Sequence, residues 1–229
     1  MQLREQILDG VLGEGVKLPN ETVLAEDYGV SRATVREALR LLAAHSLIRT
    51  AKGAGGGSFV TVPSAGHLSE SLRSGIDLMT VSDDVTLEEL LEARELLEVP
   101  AAELAARRRS GEDLERLYAA IPDQPLRLPT REQFAYNRDF HSCVIEACGN
   151  TLLSIAAQPV FAVLQTHLSR SRLGRGWHRS INDHHRAIAA AIEEGDERAA
   201  GEQMFEHLEW LRPYYDKAWR AVGRTPVGA

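Results

Sequence analysis

The chain has 229 residues, of which 44% are hydrophobic, and a formal net charge of −7. This length can hold one large domain or two modest ones, each with a buried core. No apolar run is long enough to cross a membrane, and the opening MQLREQILDG lacks a signal-peptide pattern. We therefore expect a cytoplasmic protein with no membrane partner. Two cysteines, Cys143 and Cys148, exclude a disulfide framework and a thiolate metal site.

The N-terminal quarter has the pattern of three short helices. Residues 2–9 predict an opening helix. Asn20 and Ser31 stand where N-caps of two further helices belong, and Gly29 supplies the permissive backbone that ends the helix between them. The last of the three helices runs from about Arg32 to residue 45. Its apolar residues repeat at helical spacing and form a buried stripe of Val35, Ala38, Leu39 and Leu42.

A basic row lies beside this stripe, formed by Arg32, Arg36 and Arg40 at a spacing of four residues. Between Ser31 and Lys52 there are five positive side chains against one negative, whereas the whole net charge of −7 lies outside residues 1–62. A local basic patch on an acidic chain favours a nucleic-acid surface, because phosphate contacts need clustered Lys or Arg. The alternative is a solvated helix face. A short helix-turn-helix with a basic second helix fits the major groove of DNA.

Two β-prone runs follow, at residues 47–50 and 58–62, separated by the glycine-rich AKGAGGG. They predict a hairpin with Arg49 and Lys52 at its base and a tip that can adopt positive φ. A nucleotide-binding P-loop is excluded because no Gly-Lys-Ser/Thr opens a helix here. A wing along the minor groove is the better interpretation.

These residues resemble a known family through LP-E-LA, GVSR-TVREAL-L and the wing GAGGGSFV. Over roughly residues 3–62 the chain is similar to the winged helix-turn-helix of the GntR family of bacterial transcription regulators. The resemblance implies that arginines contact operator DNA, that a serine and a threonine lie near phosphate, and that a wing glycine lies near the minor groove. One departure is Thr22, where many acyl-CoA-responsive members carry Arg, so the preferred operator is expected to differ. The predicted DNA-binding residues are Ser31, Arg32, Thr34, Arg36, Arg40, Lys52 and Gly53.

The rest of the chain has few strand signals and strong helical periodicity. The periodic segments are residues 67–79, 86–109, 112–120, 131–148, 151–171, 179–194 and 196–219. We predict a DNA-binding domain over 1–62, a linker over 63–66, a helical effector-binding and dimerisation domain over 67–221, and a flexible tail over 222–229. The expected fold is mainly α: an N-terminal winged helix-turn-helix with a small β-hairpin wing, and a C-terminal all-α bundle of six or seven helices.

Helix ends in this second part are predicted from caps and breakers. Pro100 is expected to kink its helix, and the prolines between residues 122 and 129 predict a stiff connector. The candidate N-caps are Asp84, Thr130, Asn150 and Ser180, and the candidate stops are Gly111, Gly149 and Gly195.

Three histidines fall on apolar faces of three different predicted helices: His141, His185 and His207. A single histidine on such a face is usually a satisfied core residue. Three together are harder to satisfy, because each buried imidazole needs partners for two nitrogens. A shared divalent cation would satisfy all three, with Asn137 one turn before His141 as a further ligand.

Here the chain resembles the ligand-binding domain of the FadR subfamily of GntR, through E-AR-LLEVPAAELAAR over 92–107, N-RDFH over 137–141, DHHRAI over 183–188, and His207. Many members place Asp and three His around a metal, which implies Asn137, His141, His185 and His207 in this chain. The departure is Asn137, which removes a negative charge, so weaker metal retention is expected. The implied metal is Zn, Ni or Mn, with open positions for a small carboxylate effector.

Arg94 lies on an apolar stripe and is expected to face the bundle interior, where an arginine needs an anion. Two interpretations stay open, namely binding of an effector carboxylate and a structural pair with Glu98.

We predict a homodimeric repressor that is not an enzyme, binds palindromic operator DNA and responds to a small organic acid. Effector binding is expected to change the spacing of the two winged domains. A metal-dependent enzyme is the first alternative, but HExxH is absent and no acid is expected beside the histidines as a general base. A constitutive DNA-binding protein with a dimerising helical domain is the second.

Overall fold

The computed structural model describes residues 2–53, 55–123, 129–169 and 175–221. The chain divides into two compact units, Met1–Ser64 and Ala65–Ala229. Most of the predicted proline connector and the predicted tail over 222–229 lie outside the described residues. Within those residues, no helix is both long enough and apolar enough to cross a membrane.

The first unit contains three helices and a two-stranded antiparallel sheet. The elements are α1 (Gln2–Leu8), α2 (Glu21–Tyr28), α3 (Arg32–Ala44), β1 (Ile48–Ala51) and β2 (Gly57–Val60). In the hairpin Ile48 pairs with Val60 and Ala51 with Gly57. The predicted helix-turn-helix and hairpin are therefore confirmed.

The turn between α2 and α3 is fixed by the side chains predicted to fix it. The side-chain amide oxygen of Asn20 accepts hydrogen bonds from the backbone N–H groups of Thr22 and Val23. The Ser31 hydroxyl accepts one from the N–H of Thr34. Between the two helices Gly29 has φ of 62°, which a side chain would strain. The sharp reversal thus follows directly from local sequence.

The core of the first unit is small. The stripe on α3 buries Val35 and Leu42 and half-buries Leu39, as predicted, but Ala38 is exposed. Ala38 lies at the edge of the stripe, on a helix whose opposite face is polar. Small units cannot cover every flank of a helix. The fully buried set comprises Leu18, Leu24, Ala25, Val35, Leu42, Ile48 and Val60.

Within its described residues the second unit contains seven helices, in agreement with the predicted bundle. They are α4 (Ala65–Val81), α5 (Leu87–Arg108), α6 (Gly111–Ala119), α7 (Thr130–Ala147), α8 (Thr151–Ser169), α9 (Arg175–Glu194) and α10 (Glu197–Ala221). Helix α5 continues through Pro100 and contacts α7, α8, α9 and α10. Groups on its buried face therefore meet side chains from several helices at once.

Several predicted helix ends are wrong. Asp84 does not cap α5, because Thr86 and Glu89 form a capping box two residues later. Ser180 lies inside α9, which begins at Arg175. In α7 the residue before the helix is Pro129, and Thr130 is already helical.

Two of the three glycines predicted to end helices do so, and the third begins a helix. Gly149 and Gly195 follow α7 and α9 with positive φ, as predicted. Gly111 instead begins α6, which Ser110 caps. At the other end of the unit, residues 65 and 66 belong to α4 although a linker was expected over 63–66.

We predict that Thr86→Ala lowers the free energy of unfolding of the helical unit by about 1 kcal/mol, because the hydroxyl of Thr86 accepts a hydrogen bond from the N–H of Glu89 and donates one to its carboxylate, and both are lost. Ser74→Ala, at an exposed position in the middle of α4, is the control and should change it by less than about 0.5 kcal/mol. Chemical denaturation followed by circular dichroism measures both. Equal effects of the two changes would contradict the capping argument.

Candidate metal centre and nucleic-acid interface

Helices α7, α9 and α10 bring three imidazoles together in the interior of the second unit. His141, His185 and His207 are each at most 1% exposed. Their ring centroids lie 5.0 to 5.3 Å apart. One ligand nitrogen from each ring lies within 4.8 Å of the others. The structure thus places the three predicted histidines in one cluster.

Aromatic and apolar side chains form the walls of this cluster. The ring of Phe140 stacks on His185 with 3.8 Å between centroids. The ring of Phe161 lies 4.6 Å from His141. These walls exclude water, so every polar atom inside must find a partner in the protein or in a ligand.

Glu98 on α5 contacts His141 directly. Its Oε2 lies 2.6 Å from Nδ1 of His141, so the imidazole donates this hydrogen to the carboxylate. The other ring nitrogen, Nε2, is left as an acceptor and lies 3.2 Å from Nε2 of His207. A carboxylate that orients a histidine in this way is a common arrangement behind metal ligands.

Arg94 is 2% exposed, as the stripe on α5 predicted. Its Nε donates to Oε1 of Glu98 at 2.7 Å, and its Nη1 donates to the hydroxyl of Tyr215 at 2.7 Å. Its Nη2 lies 3.3 Å from Nε2 of His141. The structural pair with Glu98 is therefore present, and Nη2 faces the histidine cluster.

Burial and the neighbouring charges together determine the protonation of these groups. It lowers the pKa of His141, and it holds the pKa values of His185 and His207 well below the usual range, with the neighbouring positive groups adding to the effect. Burial would raise the pKa of Glu98, but the charge of Arg94 and the contact with His141 outweigh it and bring this pKa down to about 2. The cluster therefore consists of neutral imidazoles beside an ionised, paired carboxylate.

Two buried imidazole nitrogens of the cluster lack a hydrogen-bond partner among the described residues, namely Nε2 of His185 and Nδ1 of His207. Both side-chain amide atoms of Asn137, which is buried one turn before His141 on α7, also lack one. Neutral imidazole nitrogens and an amide oxygen are suitable ligands for a divalent transition metal. Because unpaired buried polar atoms cost free energy, these residues fit such a cation.

The contact of Glu98 with His141 was not predicted from the sequence, which was expected to place no acid beside the histidines as a general base. Glu98 follows Arg94 by one helical turn, which placed it on the inner face, but the crossing of α5 with α7 could not be read from spacing. A carboxylate with a pKa of about 2 that is paired with arginine is a poor general base.

His184 is not one of the three clustered histidines, but its ring lies beside them. It is half-buried, with its ring centroid 5.0 Å from that of Trp210 and 5.5 Å from that of His207. The side chains of His167 and His178 lie outside the described residues. Cys148 is buried and Cys143 half-buried, and neither forms a disulfide.

In the first unit the predicted DNA-binding side chains on α3 lie exposed. Arg36 pairs with Glu21 of α2, with 2.8 Å between Nη2 and Oε2, and Arg40 pairs with Glu37 at 2.7 Å. The arginine side chains of these two pairs remain 66% and 75% exposed. Exposed pairs of this kind are weak, so the guanidinium groups can exchange a carboxylate for a phosphate at little cost. The exposed residues on this helix and its cap are Ser31, Arg32, Thr34, Arg36 and Arg40.

The wing presents further positive groups. Lys52 and Gly53 are exposed beside the tip, where Gly53 has φ of 105°. The guanidinium of Arg49 lies 4.8 Å above the ring of Phe59. Lys17, which the sequence analysis did not single out, donates to the carbonyl of Gly55 at 3.4 Å. The wing therefore carries charge at its base and its tip.

We predict that Glu98→Gln lowers the free energy of unfolding of the metal-free protein by about 3–5 kcal/mol, because it leaves the Arg94 guanidinium buried without its counter-charge. The control is Glu202→Gln, which removes an exposed ion pair with Arg198 on α10 and should have little effect. Thermal or chemical denaturation measures the difference. A Glu98→Gln protein as stable as the control would show that the buried pair is not a structural requirement.

Comparisons with known proteins agree with this arrangement. Residues 1–60 match the model of the gntR family of bacterial regulatory proteins, and residues 89–209 match that of the FCD domain. The chain is 31% identical to the Uxu operon transcriptional regulator of Escherichia coli, covering 90% of this chain and 81% of the relative. It is 28% identical to the putative L-lactate dehydrogenase operon regulatory protein of the same species, covering 92% and 82%.

Among solved structures, the Streptococcus agalactiae GntR protein matches with a TM-score of 0.61 and 27% identity, covering 93% of this chain and 96% of that one. These proteins are transcription regulators and not enzymes. The unit that contains the helix-turn-helix is accordingly the DNA-binding domain, and the helical unit contains the effector-binding FCD domain. The chain belongs to the GntR family of bacterial transcription regulators, with an N-terminal helix-turn-helix domain and a C-terminal FCD domain.

Proposed function

We propose that this regulator is a repressor whose operator affinity is controlled by a small carboxylate held, through a divalent metal, at the three-histidine cluster. The observation that carries the proposal is the cluster of three buried imidazoles, two of which have an unpartnered nitrogen; the buried, unpartnered amide of Asn137 lies one turn before His141 on the same helix. We assign the chain to the FadR subfamily on the residues quoted above.

The proposed metal ligands are Asn137, His141, His185 and His207. His141 is the best prepared of them, because Glu98 holds the hydrogen on Nδ1 and leaves Nε2 as a lone-pair donor. A bound Zn, Ni or Mn ion would supply positive charge that attracts a carboxylate. Asn137 contributes a neutral oxygen where a carboxylate would contribute charge, so the metal is retained less firmly than by an Asp-containing site.

Arg94 is proposed to contact the effector as well. Two sides of its guanidinium are occupied by Glu98 and Tyr215, and the remaining nitrogen, Nη2, faces the histidines. A carboxylate at the cluster would accept a hydrogen bond from this nitrogen. Because Glu98 already neutralises the charge of Arg94, the guanidinium would orient the effector carboxylate more than it would add electrostatic attraction.

The role of the relatives supports an organic acid. One relative is named as the putative regulator of an L-lactate dehydrogenase operon, and lactate is a small hydroxycarboxylate.

DNA binding is proposed to need a homodimer on a palindromic operator. One recognition helix reads too few base pairs for specific binding, and a two-fold pair reads two half-sites. Ser31, Arg32, Thr34, Arg36, Arg40, Lys52 and Gly53 are the proposed DNA contacts. The effector acts by population shift, since it can lower operator affinity only by binding the two states of the dimer unequally.

We predict that His185→Ala releases the metal during dialysis and abolishes the effect of the acid on operator binding. The matched control is His184→Ala, which removes the adjacent imidazole; its ring lies 5.5 Å from that of His207 but is not among the three clustered rings, so the variant should retain both properties. Asn137→Asp should retain more metal than the wild type. Elemental analysis measures the metal, and a thermal-shift screen of small carboxylic acids followed by operator titration measures the response.

Two results would contradict the proposal. Unchanged metal content in His185→Ala would remove the metal assignment. Operator affinity that stays constant at saturating acid would favour the constitutive DNA-binding alternative.

For the DNA surface, we predict that Arg36→Ala weakens binding to the selected operator by about 1–3 kcal/mol, because a major-groove contact is lost. Arg107→Ala is the matched control, since Arg107 is also exposed and paired with an acid, Glu197, but lies on α5. Fluorescence anisotropy with an operator selected from random duplexes measures both. Wild-type binding that does not depend on sequence would rule out base recognition by α3.

A further inference from the structure

A second concave site lies in the helical unit, between α7 and α8 with α4 at its rim. Its cavity has a volume of about 710 Å³, and an adjoining cavity of about 340 Å³ shares Arg73, Arg138 and Ala162 with it. None of the three clustered histidines lines either cavity. The residues that line the larger cavity are Arg73, Arg131, Phe134, Ala135, Arg138, Ala162, Gln165 and Thr166.

The arginines of this groove differ in how firmly they are held. Arg73 is anchored by two acids of its own helix, Glu70 and Asp77. Arg138 has an exposed pair with Asp139 at 3.0 Å, and such a pair is weak. Arg131 is exposed and forms no ion pair with the residues that the structure describes. Because residues 131 and 138 are two turns apart on α7, both guanidinium groups lie along one side of the groove.

A buried amide faces the same groove. Gln165 is 7% exposed, and its Nε2 donates a hydrogen bond to the backbone carbonyl of Phe134. This bond fixes the orientation of the amide, because a carbonyl can only accept. The other atom, Oε1, is buried and has no partner among the described residues. A ligand hydroxyl that donates to Oε1 would remove the cost of leaving it unpaired.

Phe161 lies next to both the adjoining cavity and the histidine cluster. Phe161 lines the adjoining cavity, and its ring lies 4.6 Å from the ring of His141 and 5.0 Å from the guanidinium carbon of Arg94. The groove is therefore a neighbour of the metal centre with its own polar groups.

We infer that this groove is a second small-molecule site, which binds a hydroxycarboxylate independently of any metal. Arg131 and Arg138 bind the carboxylate groups, and Oε1 of Gln165 accepts a hydrogen bond from the hydroxyl. A nucleic acid does not fit, because Glu70, Asp77 and Asp139 alternate with the arginines and the amide lies at the bottom of a cavity. The combination of guanidinium and amide acceptor selects acids that also carry a hydroxyl group.

The test uses the full-length, metal-free protein and three related probes: malate, succinate, which lacks the hydroxyl, and the triol obtained by reducing both carboxyl groups of malate. Isothermal titration calorimetry should show malate binding more tightly than succinate, with no binding of the triol. The Arg131→Ala/Arg138→Ala double variant should weaken malate binding by about tenfold or more. Gln165→Leu should abolish the preference for malate over succinate. Arg198→Ala, at an 85% exposed position on α10, is the matched control and should change nothing.

Three results would overturn the inference. They are no malate binding to the wild type, malate binding that the double variant leaves unchanged, and equal binding of the triol. If the double variant does not fold, Arg131→Ala alone serves, because this guanidinium has no ion pair to lose. The metal content of the double variant separates this site from the proposed metal centre, since it should equal that of the wild type. A loss of malate binding in metal-free His185→Ala would instead place malate at the histidines and overturn a separate site.

Discussion

The helical unit depends on a buried ion pair between Arg94 and Glu98, which also contacts Tyr215 and His141. Two charges so far from water are costly, and the pair offsets that cost only because each group has further partners. Tyr215 accepts from the arginine, and His141 donates to the carboxylate. Through these contacts α5 fixes the position of side chains on α7 and α10. The pair thus ties three helices together at one point.

The same pair determines what the histidines can do. Its positive member and the apolar walls keep the imidazoles neutral, and its negative member holds the hydrogen of His141 on one nitrogen. His141 and His207 contact each other through their Nε2 atoms, and each imidazole has only one further nitrogen to pair. Among the described residues, Asn137, His185 and His207 retain buried polar atoms without a hydrogen-bond partner. A ligand that bonds to these buried polar atoms would supply the partners that they lack.

Sequence patterns could predict what depends on a single helix. The inward positions of Arg94, Asn137 and the three histidines follow from helical spacing, and the caps Asn20 and Ser31 follow from local chemistry. Contacts between helices could not be predicted. Helical spacing shows which face of a helix is buried, but it does not show where that helix crosses another. For that reason Glu98 was seen only as a neighbour of Arg94 and not of His141. Helix starts at Asp84 and Ser180 were wrong because better caps or longer periodicity lay nearby.

Arginine has opposite roles in the two units, and burial explains the difference. The pair of Arg36 with Glu21 is exposed, so water and salt already weaken it and a phosphate can replace the carboxylate with little loss. Arg94 cannot exchange Glu98 in this way, because the abandoned carboxylate would stay buried without a partner. A ligand at the histidine cluster must therefore add to the existing network and not compete with it. The chain meets this condition by leaving one guanidinium nitrogen of Arg94 directed at the cluster. An acid bound there would contact residues that link α5, α7 and α10. The arginines proposed to contact DNA are instead exposed and weakly paired.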